Sequence, residues 1–223
     1  NSAAFAQDLA IDNLDDAINR VGFREVFRLV GLAAASDLFA TRNQTYGIEG
    51  STLWENSLSC GLVMEDLARK TGHDEQEFYT LGLLRSMGKL VIDVCATSKS
   101  MDQRYKSESG EPILAWEEKV FGITNPSVAG FLLSTWNFPE ETVNSIQLQY
   151  LEKDAESAPQ SALLLNVAGA LAERVNLALP GESAYWESLE SRCGSLGLNE
   201  SDLDDTVESA KERLEEVLAS VAG

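Results

Sequence analysis

The spacing of the apolar residues constrains the fold of this chain more than any other feature. Apolar side chains recur at intervals of three and four residues along almost the whole sequence, whereas the strict alternation of a half-buried β-strand is hard to find. In residues 51–70, for example, Trp54, Leu58 and Leu62 fall on one helical face. This pattern is typical of amphipathic helices around a shared core. We therefore predict an all-α fold, a single helical domain of about ten helices.

Glycine, proline and asparagine mark the expected helix boundaries. Gly72 should end the helix of residues 51–70, and one continuous helix should follow over residues 74–94. Asn125 is the expected N-cap of a later helix, because Pro126 suits the first helical position. Further helices are expected over residues 24–40, before Gly122, from Pro139 and over residues 159–179.

The C-terminal sequence carries a heptad-like apolar seam. Its members are Leu203, Val207, Ala210, Leu214, Val217 and Val221. The seam is too short to establish a coiled coil, so pairing with another helix stays open beside the interpretation that we favour, an amphipathic helix packed on its own domain. We expect this C-terminal helical extension, residues 181–223, to pack on the same domain as the residues before it.

Charge and cysteine content narrow the class of protein. The chain has 36 acidic and 17 basic residues, and its net charge of −19 argues against nucleic-acid binding through a basic face. Cys60, Cys95 and Cys193 lack the close spacing of a zinc knuckle or a redox motif, and their odd number argues against a disulfide framework. No apolar run is long enough to cross a bilayer, and the first residues lack the features of a signal peptide. We expect a cytoplasmic protein with no membrane association.

Four segments together resemble one domain family. They are "LWENSLSCGLVMEDLARKTG", "FYTLGLLRSMGKLVID", "EEKVFGITNPSVAGFLLSTWNFPEETVNSIQLQY" and "LLLNVAGALAERV". The series resembles HDOD domains of the HD-hydrolase superfamily over residues 1–180. The opening "NSA" resembles a segment that follows several further helices in HDOD domains. The resemblance thus implies that the N-terminal helical part of the family domain is missing from this sequence, and that helices near residues 14–40 expose apolar surface which that part would cover.

The resemblance also identifies the positions at which HD hydrolases hold divalent metal ions with imidazole and carboxylate ligands. The adjacent His-Asp pair of the superfamily corresponds here to Arg85 and Ser86. The other positions of the set are Asn56, Asn125, the pair Gln149 and Tyr150, and Gly169. Because these residue types rarely bind such metals, the resemblance implies a degenerate site with no catalytic residue, no metal and no cofactor.

Arg85 places a permanent cation where the superfamily holds a metal, and Lys89 follows one helical turn later. Three arrangements stay open for Arg85: a salt bridge to Asp93 or to an acidic residue of a facing helix, binding of a phosphate-bearing or carboxylate ligand, and exposure to solvent. An unpaired buried charge is costly. We therefore expect Arg85 to contact a carboxylate or a bound anion at the bottom of a cleft between the helices of residues 51–70 and 74–94.

Other residues that often carry function have plainer interpretations. His73, the only histidine, lies in the turn "TGHD" and is expected to be exposed. Trp54, Trp116 and Trp136 are expected in the core rather than in a ligand platform.

Two functions of different class follow from the resemblance. HDOD domains are typical of bacterial regulatory proteins, which implies a non-catalytic signalling or regulatory module. Such a module would act through a protein partner, a fused signalling domain or a small ligand, and an oligomer is compatible with it. The superfamily fold suggests the alternative, a metal-dependent hydrolase of phosphate esters or nucleotides. The substituted ligand positions favour the module.

Overall fold

The computed structural model describes residues 43–151 and 158–222 of the chain. Within these ranges the fold is all-α, as predicted, and the β-type pairing is limited to an isolated bridge between Asn43 and Ile48. No helix in the same ranges is long and apolar enough to span a bilayer. The predicted helix of residues 24–40 and the apolar surface expected near residues 14–40 lie outside the described residues.

The described residues form nine α-helices and two short 3-10 turns. The helices are α1 (Gly50–Thr71), α2 (Glu75–Leu84), α3 (Met87–Ser98), α4 (Ile113–Phe121), α5 (Asn125–Thr135), α6 (Glu140–Leu148), α7 (Gln160–Arg174), α8 (Leu189–Ser195) and α9 (Glu200–Ala222). The 3-10 turns are Ser107–Ser109 and Ser183–Trp186.

Helix α1 lies at the centre of the larger apolar core. It ends where predicted, because Gly72 takes the left-handed conformation (φ 77°) and its N–H donates to the carbonyl of Ala68. The apolar stripe of α1, including Leu58, Leu62 and Leu67, is buried against α2, α7 and α9. Burial of this one stripe therefore joins helices from the beginning and the end of the described chain.

The helix predicted over residues 74–94 is in fact two helices, α2 and α3, separated at Arg85 and Ser86. In a continuous helix the carbonyl of Arg85 would accept the backbone N–H of Lys89. Here that N–H donates to the carbonyl of Ser86 (3.1 Å), and the Arg85 carbonyl accepts from Nε2 of Gln149 (3.0 Å). The prediction of one helix is wrong because a tertiary hydrogen bond takes the place of a helical one.

Asn125 is the first residue of α5, and the N-cap position belongs to Thr124. The side chain of Asn125 does not cap the helix, since its Nδ2 donates to Oε2 of Glu117 at 3.0 Å. Pro126 is then the second helical residue, where its missing N–H is also tolerated. The predicted cap is displaced by one residue because a buried carboxylate binds the asparagine amide.

The C-terminal helix α9 packs on α1. Four members of the predicted seam lie in the same buried cluster as α1: Leu203, Val207, Ala210 and Leu214. Arg213 of α9 adds ion pairs to Glu65 and to Asp66, the latter at 3.4 Å. This part of the seam therefore faces its own chain.

Two of the three tryptophans expected in the core, Trp54 and Trp116, are buried. The prediction is wrong for Trp136, whose surface is 54% exposed. Trp136 follows the last turn of α5, and the positive φ of Asn137 (58°) ends the helix there, so the indole projects into solvent. His73 is half-buried rather than exposed, because its ring stacks on the ring of Phe78 with the two ring centres 4.8 Å apart.

Helices α3 and α5 touch at Gly88, where a methyl group would overlap the backbone carbonyl of Asn125. We expect Gly88→Ala to lower the free energy of unfolding by about 1–3 kcal/mol, because backbone cannot move aside as a side chain can. Gly194→Ala in α8 is the matched control, since an added methyl group meets no atom within 4 Å. It should be neutral or raise the free energy of unfolding by about 0.5–1 kcal/mol. Urea unfolding followed by circular dichroism measures both, and equal stability of the two variants would contradict this packing.

Candidate functional site

Two buried cations share one buried carboxylate beside α1. Arg85, Lys89 and Glu182 are 1%, 0% and 1% exposed. Nη2 of Arg85 lies 2.9 Å from Oε2 of Glu182, and Nζ of Lys89 lies 2.5 Å from Oε1. Both carboxylate oxygens therefore accept charge-assisted hydrogen bonds away from water. Arg85 contacts a carboxylate, as predicted, although the carboxylate belongs to a residue that the sequence did not single out.

Two neutral side chains complete the hydrogen bonds of this group. The Tyr150 hydroxyl accepts from Nζ of Lys89 (2.7 Å) and donates to Oε1 of Glu182 (2.6 Å). Oδ1 of Asn56 accepts from Nη1 of Arg85 at 3.1 Å. We call these five residues the ion cluster.

The ion cluster joins separate parts of the chain. Arg85 lies at the break between α2 and α3, Lys89 lies in the first turn of α3, and Tyr150 follows the end of α6. The side chains of Arg85 and Lys89 reach the same carboxylate from the two sides of the break. Glu182 comes from residues 177–186, which we call the strap; it leads from α7 through the second 3-10 turn.

Hydrogen bonds to backbone carbonyls hold the strap ahead of Glu182. The carbonyl of Leu177 accepts from Nδ2 of Asn56 (2.7 Å), and the carbonyl of Gly181 accepts from the N–H of Ile113 (3.0 Å). Gly181 has a φ of 75°, a left-handed conformation that strains any residue with a Cβ atom. A glycine at this turn therefore lets the chain bring the next side chain, Glu182, into the interior.

Gly169 of α7 makes room for the aromatic end of the strap. A methyl group at Gly169 would lie 2.6 Å from the ring of Trp186 and 3.0 Å from Nη2 of Arg85. The indole instead lies against the guanidinium, with Cζ of Arg85 5.9 Å from the ring centre, and its Nε1 donates to Glu173 at 3.0 Å. A larger residue at position 169 would separate the ring from the cation.

Burial and the two cations act in opposite directions on Glu182. Burial alone would raise the pKa of its carboxyl group, but Arg85 and Lys89 together lower that pKa to about 2, so the group is ionised at neutral pH. Burial raises the pKa of the neighbouring Cys60 thiol to about 11 even though the charge of Arg85 opposes the rise. Burial and Glu182 also raise the pKa of Tyr150. The thiol and the phenol are therefore neutral, and neither is an activated nucleophile.

A second buried carboxylate, Glu117, accepts its own set of hydrogen bonds. The donors are the hydroxyl of Tyr46 (2.6 Å) and the backbone and side-chain nitrogens of Asn125 (2.7 and 3.0 Å). Burial raises the pKa of Glu117, while the charge of Lys89 and these hydrogen bonds lower it in part. Asn125 thus binds Glu117, and within the described ranges no hydrogen bond joins it to Arg85.

The structure brings most of the sequence-predicted site residues together. The residues in or against the ion cluster are Asn56, Arg85, Ser86, Lys89, Gln149, Tyr150 and Gly169. Ser86 makes a longer contact, with its Oγ 3.4 Å from Oδ1 of Asn56. Asn125 belongs to the neighbouring Glu117 group. The suggested salt bridge to Asp93 is wrong, because Oδ1 of Asp93 accepts from the backbone N–H of Thr45 at 2.8 Å.

Sequence reasoning missed Glu182, Glu117 and Trp186. Glu182 stands in "LPGESAYW" and Glu117 in "WEEKV", where each looks like a solvated surface residue. The available signal was the need of Arg85 for a counter-ion, but 36 acidic residues offered too many partners. Only the fold selects among them.

The side chains of this site do not fit a divalent metal ion. Within the described ranges, no group of three or more His, Cys, Asp or Glu side chains is placed to hold one. The carboxylate of Glu182 is engaged by two cations, and the oxygen of Asn56 accepts from the guanidinium of Arg85. A metal ion here would lack carboxylate and imidazole ligands and would be repelled by both cations.

We expect Glu182→Gln to lower the free energy of unfolding at pH 7 by about 3–5 kcal/mol, because it leaves two buried cations without their shared counter-ion. Glu187→Gln is the matched control, since it makes the same chemical change at an exposed position of the next segment. Its effect should stay within about 0.5 kcal/mol. Urea unfolding of both variants beside the wild type gives the comparison.

The stability difference between wild type and Glu182→Gln should also depend on pH. The pKa of Glu182 is about 2 in the folded state, below its ordinary value of 4.5. The stabilisation from its ionised form is therefore full above the ordinary pKa and is lost as the pH falls toward 2. The difference in unfolding free energy between wild type and Glu182→Gln should shrink over this interval. A difference that stays constant from neutral pH to acid would contradict the ion pairing.

Solved structures share this fold at low sequence identity. A candidate phosphohydrolase of Shewanella amazonensis SB2B is 23% identical with a TM-score of 0.57, over 91% of this chain and 73% of its own. The MmoQ response regulator of Methylococcus capsulatus strain Bath is 21% identical with a TM-score of 0.58, over 93% and 79%. A candidate signal transduction protein of Marinobacter aquaeolei VT8 is 17% identical with a TM-score of 0.61, over 97% and 56%. At these identities the likeness shows the fold alone.

The family follows from a sequence comparison. The profile of the HDOD domain matches residues 1–151, which is more than half of the chain. No curated protein matches at a significant level. The helical fold and the solved relatives agree with the profile. This chain belongs to the HDOD domain family.

Proposed function

We propose that this protein is a non-catalytic regulatory module of bacterial signal transduction. It acts by binding a protein partner, a fused signalling domain or a small ligand, and it is located in the cytoplasm. Membership of the HDOD family supports the general role. Among the solved relatives, one is named as a response regulator and another as a candidate signal transduction protein, which supports the signalling context.

The ion cluster is the observation that carries this proposal. The resemblance to HD hydrolases assigns metal ligands to the positions of Asn56, Arg85 and Ser86. In this chain Arg85 is paired with Glu182 at 2.9 Å and is 1% exposed. Metal-assisted hydrolysis needs an open coordination position and a path for substrate. A closed set of ion pairs supports a structural role for this part of the domain instead.

In this proposal the main partner is another protein. Glu182 occupies the position in which an anionic ligand, one of the arrangements left open for Arg85, would bind, so in the described structure the guanidinium is not free for one. By contrast, Phe131 in α5 (74%) and Trp136 directly after α5 (54%) are two large aromatic residues exposed to solvent. Exposed aromatic side chains are common in protein interfaces. The net charge of −19 disfavours nucleic acid as the partner.

The alternative function is a metal-dependent phosphohydrolase. It draws on the names of two solved relatives, a candidate phosphohydrolase and a candidate metal-dependent phosphohydrolase. For this chain it would require a metal ion to displace the pairs that Arg85 and Lys89 form with Glu182. We therefore place it second.

A metal and activity measurement separates the two functions. After incubation with manganese and gel filtration, we expect far less than one metal ion per chain, because surface carboxylates hold cations only loosely. Hydrolysis of bis-p-nitrophenyl phosphate should not exceed the buffer rate. Elemental analysis and nitrophenol absorbance give the two readings. One tightly held ion per chain, or turnover that Arg85→Ala changes and Glu187→Gln does not, would contradict the proposal.

A variant with His and Asp restored at four of the metal-ligand positions tests whether the fold can still bind a metal ion. The four changes are Asn56→His, Arg85→His, Ser86→Asp and Asn125→His. We expect at most weak metal binding, because Lys89 and Glu182 still fill the centre of the site with their own ion pair and the surrounding hydrogen bonds no longer orient metal ligands. Full metal occupancy in this variant would show that the four positions alone account for the loss.

A further inference from the structure

We propose that Arg85, Lys89 and Tyr150 form a carboxylate-binding site whose resident ligand is the chain's own Glu182. This inference deepens the proposed function, on which it rests for the absence of metal chemistry at the same site. It names the ligand class as a monocarboxylate and assigns the strap, residues 177–186, to the role of an internal ligand carrier.

All three donors to Glu182 stand on parts of the chain outside the strap. Arg85 donates to Oε2, while Lys89 and Tyr150 both donate to Oε1. The donors therefore belong to the helical scaffold, and the acceptor belongs to a separate segment that comes to them. This is the arrangement of a receptor and its ligand within one chain. Asn56 orients the receptor by accepting from the second terminal nitrogen of the guanidinium.

The charge around the site matches a single negative charge. Two cations, Arg85 and Lys89, face the carboxylate of Glu182 at 2.9 and 2.5 Å. One monoanion can therefore pair with both, whereas a neutral ligand leaves both buried charges without a counter-ion. The site should thus discriminate a carboxylate from the amide of the same shape.

The substitution Glu182→Ala turns the internal ligand into an external one. It removes Cγ and the carboxylate group, and acetate contains a methyl carbon and a carboxylate of the same size. Acetate bound in the vacated space can accept from Arg85, Lys89 and Tyr150 as Glu182 does. Binding to the folded state alone then raises the stability of the variant.

The test is thermal unfolding of the 223-residue chain with the Glu182→Ala substitution at pH 7 in increasing sodium acetate, against sodium chloride at equal ionic strength. We expect acetate to raise the Tm of the variant by about 5–10 °C at saturation. Acetamide should have no effect. Wild type and Glu182→Gln should respond to acetate and chloride alike, because their own side chains fill the site. Adding Lys89→Met to Glu182→Ala should remove most of the acetate effect.

The test remains decisive even if Glu182→Ala does not fold in chloride. If Glu182→Ala is unfolded in chloride, acetate should restore its helical circular dichroism, so the reading does not depend on a folded starting state. Equal responses to acetate and chloride in both assays would overturn the inference, as would an acetate effect of the same size in the wild type. Neither result bears on metal binding or phosphodiester hydrolysis, so the proposed function would stand or fall separately.

Discussion

The pairing of Arg85 and Lys89 with Glu182 is the interaction on which this part of the structure depends. Removing two cations from water costs several kcal/mol for each unless a counter-ion lies in contact with them. Glu182 supplies that contact to both at 2.9 and 2.5 Å. The requirement fixes the course of residues 177–186 across α1 and α7, and it brings Trp186 against the guanidinium.

The fold of this protein and the chemistry of its site rest on different observations. Family membership rests on the HDOD profile over residues 1–151, and the shared fold rests on solved relatives below 25% identity. Neither fixes what the site does, because one fold can carry different functions. The proposed regulatory role instead draws on the side chains present: a guanidinium and an ammonium in ion pairs, a neutral phenol, and an amide that binds the strap backbone.

The sequence predicted features that depend on local pattern and missed those that depend on distant contacts. The all-α fold and the end of α1 at Gly72 follow from periodicity and from glycine conformation. The break at Arg85 does not, because it depends on a hydrogen bond from Gln149, which is 64 positions away. Resemblance located the positions around the site, and physical reasoning required a carboxylate for Arg85. Neither could identify Glu182, since its burial is a property of the folded strap and not of its neighbours in the sequence.

The long separation between Arg85 and Glu182, 97 positions, has a consequence for how the protein is made. A chain emerging from the ribosome presents both cations well before their counter-ion has been synthesised. The family profile also ends, at residue 151, ahead of Glu182. A fragment cut at that residue would keep the recognisable family sequence and lose the charge that neutralises its interior. The residues that match the family profile therefore do not include the counter-ion of the buried cations.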